Sequence, residues 1–237
     1  MQRFYFSTDK FQGNYAVSDD KNLIHQLAKV LRAKEGERFI IFDGSGYEYN
    51  SQLITLDKKQ AKFLLLDKIE SKKELSSDII IYQSILKGEK FDWLLQKCTE
   101  LGIKKIVPVV SDRSIVKNIT PAKLKRQIEI IREATEQCGR SCLMEISPAV
   151  TFEQALKTIT LEGGEKFIAW EKETENLVSP IKAKKINLLV GPEGGYDQKE
   201  IDLAKKIGIT PVSLGQRILR AETATIYLAS IFSYTNN

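Results

Sequence analysis

Leu188-Leu189-Val190-Gly191-Pro192-Glu193-Gly194-Gly195 runs an apolar strand straight into a tight turn. Ser213-Leu214-Gly215-Gln216-Arg217-Ile218-Leu219-Arg220-Ala221-Glu222-Thr223-Ala224 reads as a second strand end, a loop and a helix start, with a helix-like stretch between the two segments. In an open α/β sheet, ligands bind outside the carboxyl ends of the strands, so two neighbouring strand ends with glycines define a pocket. A glycine there allows positive φ and lets backbone approach a ligand closely. Pro192 fixes φ and donates no N–H, so this turn is not built to wrap a phosphate in consecutive amides. The chain has no G-x-x-x-x-G-K-[ST] and no G-x-G-x-x-G after a strand, which argues against a nucleoside triphosphatase or a dinucleotide dehydrogenase. Glycine is common in ordinary αβ turns. The nearness of these two, with Arg220 and Glu222 directly after one of them, sets them apart.

Upstream of this pocket, from Asp78 onward, short apolar strands alternate with helices, the pattern of a parallel sheet. Strands are expected at Ile79 to Ile85, Ile106 to Val110, Phe167 to Trp170 and Ile186 to Val190. Phe91, Leu94, Leu95, Cys98 and Leu101 form one helix face, ended by Gly102. Thr120 caps a helix with Pro121 in its first position, and Leu124, Ile128, Ile131, Thr135 and Cys138 make its apolar stripe at three-four spacing. Asp197 and Glu200 start a helix that runs to Ile207 and stops at Gly208. The last helix, from Glu222 to about Tyr234, is apolar on nearly every side, which predicts burial all round.

Residues 1–70 read as a small β-rich domain, a barrel or sandwich, with strands at Arg3 to Phe6, Arg38 to Phe42, Tyr47 to Leu56 and Ala61 to Ile69. His25 to Leu31 is a helix with Leu23, Leu27, Val30 and Leu31 on one side. Residues 71–77 are polar and lack periodicity, as a linker does, and 78–237 form the α/β domain.

With 36 basic and 31 acidic residues the net charge is +5, mildly basic and compatible with an RNA partner. Lys87, Lys90, Lys97, Lys104 and Lys105 cluster, as do Lys117, Lys123, Lys125, Arg126 and Arg132, although a solvated helix face is the ordinary origin of such clusters. No apolar run reaches membrane-spanning length, and the N-terminus lacks a signal peptide's apolar core, so a cytoplasmic location is expected. Three cysteines and one histidine argue against a disulfide framework, a zinc site and a His-based nucleophile apparatus. No metal is expected.

GPEGG at Gly191–Gly195 and LGQRILRAETA at Leu214–Ala224 together resemble the signature of the knotted α/β methyltransferases that use S-adenosylmethionine, the SPOUT superfamily. Within it the chain resembles most the RsmE-type family, which methylates N3 of a uridine in 16S ribosomal RNA. Further matches are Gln83 to Lys87-Gly88-Glu89-Lys90, Lys97 to Glu100-Leu101-Gly102, Glu136-Gln137-Cys138-Gly139-Arg140, and His25 to Val30-Leu31-Arg32. They cover almost the whole chain. The resemblance implies a C-terminal parallel-sheet SPOUT domain tied in a trefoil knot, and an N-terminal PUA-like β-barrel that binds RNA. It also implies S-adenosylmethionine as cofactor, 16S ribosomal RNA of the small subunit as partner, and a homodimer.

On this basis Val190, Gly191, Gly195, Leu214, Gly215, Ile218, Leu219 and Ala224 are expected to cradle the cofactor, with Trp170 shaping the pocket. Uridine N3 is a poor nucleophile until it loses its proton, so a base or a stabilising cation is needed. Arg220 is expected to hold the anionic substrate, and Glu222 to accept the proton or orient Arg220; an ion pair or a carboxylate at the helix dipole is the plainer role for each. Arg32, Lys87, Lys90, Arg113 and Arg140 are expected RNA contacts, with His25 more ordinarily structural. Two alternatives stay open: another knotted RNA methyltransferase acting on ribose 2′-oxygen or guanine N1, and a non-catalytic RNA-binding ribosome-assembly factor.

Overall fold

In the computed structural model, which describes residues 1–237, the chain divides into two compact units. The first holds Met1–Glu74 together with Thr135–Leu143; the second holds Leu75–Ala134 and Met144–Asn237.

In the first unit, β1 (Arg3–Tyr5), β2 (Phe11–Gln12), β3 (Tyr15–Ser18), β4 (Arg38–Phe42), β5 (Tyr47–Leu56) and β6 (Ala61–Glu70) form a six-stranded sheet in the order β1-β4-β5-β6-β3-β2. Only β1 with β4 is parallel. Asp57 closes the β5–β6 turn: its Oδ1 accepts from the N–H groups of Lys59 and Gln60 at 2.6 and 2.9 Å, the side-chain mimic of a turn that aspartate favours. Phe63 sits edge-on to both Phe6 and Phe39, with centroids 5.7 Å apart in each pair, the geometry aromatic quadrupoles prefer. Helix α1 (Lys21–His25), capped by Asp20, continues as a π-wound turn over Gln26–Leu31. Leu23, Ile24 and Leu27 are buried, but Val30, expected on the same side, is 68% exposed. A π turn bonds i to i+5, which rotates later residues out of a 3.6-residue stripe.

The segment Thr135–Leu143 completes this unit. Arg3 Nη2 donates to Arg140 O at 3.1 Å and Ser141 Oγ at 3.0 Å, and pairs with Glu48 at 2.7 Å. Glu136 Oε1 accepts from the Tyr5 N–H at 2.8 Å.

In the second unit, β7 (Asp78–Ser84), β8 (Lys105–Val110), β9 (Glu145–Ile146), β10 (Val150–Thr151), β11 (Glu165–Ala169), β12 (Lys185–Val190) and β13 (Thr210–Val212) form a seven-stranded sheet. Its order is β10-β8-β7-β12-β11-β13, with β9 also on β8, and every pairing is parallel. The connecting helices are α2 (Lys90–Glu100), α3 (Pro121–Cys138), α4 (Phe152–Glu162), α5 (Gln198–Lys206) and α6 (Ala221–Thr235). Alternation along β7 builds two cores. Ile79 and Ile81 pack with Phe91 and Leu95 of α2 and Leu228 and Phe232 of α6. Ile80 and Tyr82 face the other way, with Phe152 and Ile159 of α4 and Ile201 of α5. A parallel sheet covered on both faces is what continuous apolar strands such as Ile186–Val190 require.

Asp197 and Glu200 form the expected capping box on α5, and Thr120 Oγ1 accepts from the Lys123 N–H at 3.3 Å. Two helix readings are corrected. Ile128, placed on the α3 stripe, is 47% exposed. Helix α6 is not buried all round: Leu228, Ala229 and Phe232 are wholly buried, while Tyr227 is 44% and Tyr234 87% exposed. It keeps one inward stripe, and its outer side carries aromatic rather than charged residues.

Candidate functional site

Strand β11 pairs with β12 on one side and β13 on the other, all parallel. Their carboxyl ends therefore share one edge, and the Gly191 turn after β12 flanks the Leu214 loop after β13. Between them lies a cavity of about 480 Å³, within the range of roughly 300–1,000 Å³ usual for small-molecule sites. Val190, Gly191, Gly195, Leu214, Gly215, Ile218, Leu219 and Ala224 all line it, as do Trp170, Arg220 and Lys90. The structure thus brings together every position expected to hold a cofactor.

The turn is fixed by backbone. The Gly195 N–H donates to Pro192 O at 2.9 Å, and Gly195 has φ 66. A Cβ there would lie 2.9 Å from Glu171 Oε1, so glycine leaves room for a carboxylate at the end of β11. Gly215, at φ 106, faces open space. Beneath the turn, the buried Gln83 donates to Ser84 O at 3.0 Å and accepts from the Thr225 hydroxyl of α6. Outside it, Arg113 donates to Gly194 O at 3.1 Å and to Asp197 at 3.0 Å. Glu200 accepts from the N–H groups of Asp112 and Asp197 at 3.1 and 2.8 Å; burial pushes its carboxyl above the ordinary value despite those bonds. The Lys199 N–H and Arg113 hold Asp197 below its ordinary value.

Arg220 is the N-cap residue of α6, extended at φ −64 and ψ 152. It is exposed and makes no side-chain hydrogen bond or ion pair, so its guanidinium is available at the cavity. Glu222 does not line that cavity. It lies in an adjoining depression with Glu89, Lys90 and Trp93, and Lys90 belongs to both. Lys90 Nζ is 3.2 Å from Glu222 Oε1, and the Glu222 side chain is 14% exposed. Its second oxygen, Oε2, is buried with no partner. The Lys90–Glu222 pair is absent from any sequence reading, since the two residues are far apart in the chain. Glu171 was likewise missed, and only its place just past a strand end signalled it.

The other expected RNA contacts are dispersed. Lys87 is exposed, and its N–H donates to Glu193 Oε1 at 3.0 Å. Arg32 is exposed in the first unit. Arg140 is 5% exposed, and its Nε and Nη2 bond Glu74, the closest contact being 2.7 Å. Its guanidinium is committed to the fold of the first unit and is not a surface cation. No group of three or more His, Cys, Asp or Glu side chains is placed to hold a metal ion, and no helix is long and apolar enough to cross a membrane.

Residues 73–233 match the family model described as an RNA methyltransferase domain, and residues 20–66 the one described as an RNA methyltransferase PUA domain. The chain is 30% identical to the ribosomal RNA small subunit methyltransferase E of Bacillus subtilis, over 99% of this chain and 96% of that one. It is 35% identical to the protein of the same description from Synechocystis, over 88% and 70%. A ribosomal RNA small subunit methyltransferase E from Neisseria gonorrhoeae, crystallised bound to S-adenosyl methionine, superposes with a TM-score of 0.87 at 33% identity, covering 97% of this chain and 95% of that one. A methyltransferase from Legionella pneumophila in complex with the same cofactor gives 0.83 at 30% identity, over 97% and 95%. Fold and site together define a SPOUT-type methyltransferase whose N-terminal sheet is PUA-like. The chain belongs to the RsmE-type family of ribosomal RNA methyltransferases.

Proposed function

We propose that this chain methylates N3 of a uridine in 16S ribosomal RNA of the small subunit, with S-adenosylmethionine as methyl donor. The observation that carries the reading is the cavity at the ends of β11, β12 and β13, with the Lys90–Glu222 pair at its side. Its make-up suits that cofactor. Ile218, 85% exposed at the cavity, offers an apolar surface to a flat ring. Glu171 and Arg217 offer opposite charges to hydroxyls, an ammonium and a carboxylate. When bound, S-adenosylmethionine supplies a methyl group on a positively charged sulfur. Val190, Gly191, Gly195, Leu214, Gly215, Ile218, Leu219 and Ala224 hold and orient it, and much of the rate comes from that positioning.

Glu222 Oε2, buried and without a partner, takes the proton from uridine N3, while Lys90 balances the charge on Oε1. Arg220 stabilises the negative charge that spreads onto the uracil oxygens. With N3 deprotonated by Glu222 and its charge held by Arg220, its lone pair would be free to accept the methyl group that the bound cofactor supplies. Arg32, Lys87, Lys90 and Arg113 contact the RNA. Arg140 instead holds the loop after α3 in place. The same reading takes residues 1–70 as an RNA-binding barrel, 71–77 as linker and 78–237 as a methyltransferase domain with a trefoil knot, working in the cytoplasm. It also takes the protein as a homodimer, because Trp93 on α2 and Tyr227 and Tyr234 on the neighbouring α6 remain 46%, 44% and 87% exposed, a surface aromatic enough to form an interface.

Mass spectrometry of nucleosides from 16S RNA of cells lacking the protein, before and after its return, tests the assignment. The return of 3-methyluridine is expected. A mark on ribose oxygen or guanine N1, or no mark, would overturn it.

A further inference from the structure

We propose that Gln83 and Thr225 are a positioning pair, which holds the start of α6 at a fixed setting against the cofactor turn and so sets the approach of methyl donor and acceptor base. The proposal rests on the RNA-methylating reading, which puts the donor at the Gly191–Gly195 turn and the acceptor at Arg220 and Glu222.

Gln83 breaks the pattern of its strand. Side chains along β7 alternate between two faces, and on the side of α2 and α6 the row begins with Ile79 and Ile81. Its third member is an amide, wholly buried, in register with Val190 at the end of β12. A buried amide is costly unless its polar atoms find partners, and a methionine would fill the space without that demand. Both ends of this amide are met. Nε2 donates to Ser84 O at 3.0 Å and lies 3.5 and 3.4 Å from Val190 O and Gly191 O. Three carbonyls at one end fix the orientation of the amide, because only its nitrogen can face them. Oε1 therefore faces the Thr225 hydroxyl of α6. Thr225 Oγ1 also lies 2.9 Å from Ala221 O, but a hydroxyl has a single proton. Gln83 Oε1 has no other donor, so the proton goes to Gln83.

The amide thus joins the cofactor turn to the first turns of α6. Thr225 comes three residues after Glu222 and neighbours it on the helix, and Arg220 is the N-cap of the same helix. Neither Gln83 nor Thr225 lines the cavity, so both act through the groups that do. Ala224, Leu228, Ala229 and Phe232 already anchor α6 by apolar packing. Such packing is non-directional, whereas a hydrogen bond demands both distance and angle and so sets the rotation and the axial position of the helix. A misplacement of about 1 Å between reacting groups costs up to about 10²-fold in rate. The pair therefore matters more to turnover than to folding.

Thr225→Val, Thr225→Ser and the double variant Gln83→Met/Thr225→Val are compared with the wild type. Methyl transfer to small ribosomal subunits from cells lacking the protein is followed in single turnovers at saturating S-adenosylmethionine. Thermal melting, calorimetric titration of the cofactor and hydrogen exchange along α6 accompany it. Thr225→Val keeps the shape but loses the donor, and the rate should fall about 10- to 10²-fold. Thr225→Ser keeps the donor and should recover most of that loss. The double variant removes both polar partners, which is nearly neutral for stability. It should melt above Thr225→Val and still be slow, with cofactor affinity little changed. Amides at the start of α6 should exchange faster in it than in the wild type, and those at the end of α6 should not. A double variant that regains the wild-type rate along with its stability would overturn the proposal, since the pair would then be structural. So would a serine variant as slow as the valine one, or unchanged exchange at the start of α6. Failure of the wild type to methylate the small subunit would instead sink the RNA-methylating reading, and hydrogen exchange would still test the pair.

Discussion

Gly195→Ala isolates the turn on which the cofactor site depends. The residue sits at φ 66, and its added Cβ would fall 2.9 and 3.0 Å from the two carboxylate oxygens of Glu171. A left-handed conformation costs a residue with a Cβ about 1–2 kcal/mol. The overlap adds less, because Glu171 is exposed and its carboxylate swings aside at about 0.5–1.5 kcal/mol for a displaced rotamer. The Glu171→Ala background provides the comparison: it removes the carboxylate that the added Cβ would meet, so there Gly195→Ala carries the strain without the overlap. Calorimetric titration with S-adenosylmethionine and thermal melting read the two effects. Where the turn is held in place by its bonds, strain lowers the melting temperature by about 2–4 °C per kcal/mol for a chain of this size. Where it relaxes, affinity falls roughly tenfold per 1.4 kcal/mol. Gly195→Ala should therefore lose more in the wild type than on the Glu171→Ala background by one measure or the other, with the strain remaining in both. Equal losses from Gly195→Ala on the two backgrounds would refute the geometry assigned to this turn.

Arg220→Ala should lower turnover about 10²- to 10³-fold and leave cofactor affinity nearly intact; single-turnover kinetics at saturating cofactor separate the two, and lost binding with normal turnover would make Arg220 a binding residue. Glu222→Gln keeps the shape but removes the proton acceptor, so turnover should fall by a similar factor while RNA and cofactor binding persist. Glu48 gives a pH signature: burial raises its carboxyl, but the hydrogen bonds from Arg3 and Ser141 and the Arg3 charge outweigh burial and lower it below the ordinary 4.5. Its stabilisation is therefore present above that value and lost as pH falls through the lower folded one. Glu48→Gln should lower stability near pH 7 by roughly 1.5–3 kcal/mol and flatten this acid limb in denaturant titrations. Light scattering at micromolar concentration should give a dimer; a monomer would leave the aromatic side of α6 facing water.

Much of the second unit is legible because a parallel sheet buried on both faces writes itself as plain apolar runs. Ile186–Val190, its partner β7 and the next strand β8 are such runs, and the caps at Thr120 and Asp197 announce the helices that follow. The pocket is legible for the same reason, since a strand that ends in glycine has few structural alternatives. Strands β2, β3, β9 and β10 are not, because two to four residues cannot show a period. The π turn is hidden as well: Val30 fits a 3.6-residue stripe, and only the extra residue per turn moves it to the surface. Charge pairing is the least legible. Lys90 and Glu222 are joined by the packing of α2 against α6, which no local pattern records.

The segment Glu136-Gln137-Cys138-Gly139-Arg140 shows how a signature and its role come apart. It marks the family, and a basic residue just past a helix end invites assignment to RNA. In the fold, Gly139 takes φ 87 as the left-handed residue that ends α3, and the chain then turns Arg140 inward onto Glu74 and presents Arg140 O and Ser141 Oγ to Arg3. With Arg140 5% exposed and the Glu74 side chain 27%, removing Glu74 leaves a buried guanidinium without its ion-pair partner, a loss of up to about 3–5 kcal/mol. A cation bound so tightly cannot also track phosphates.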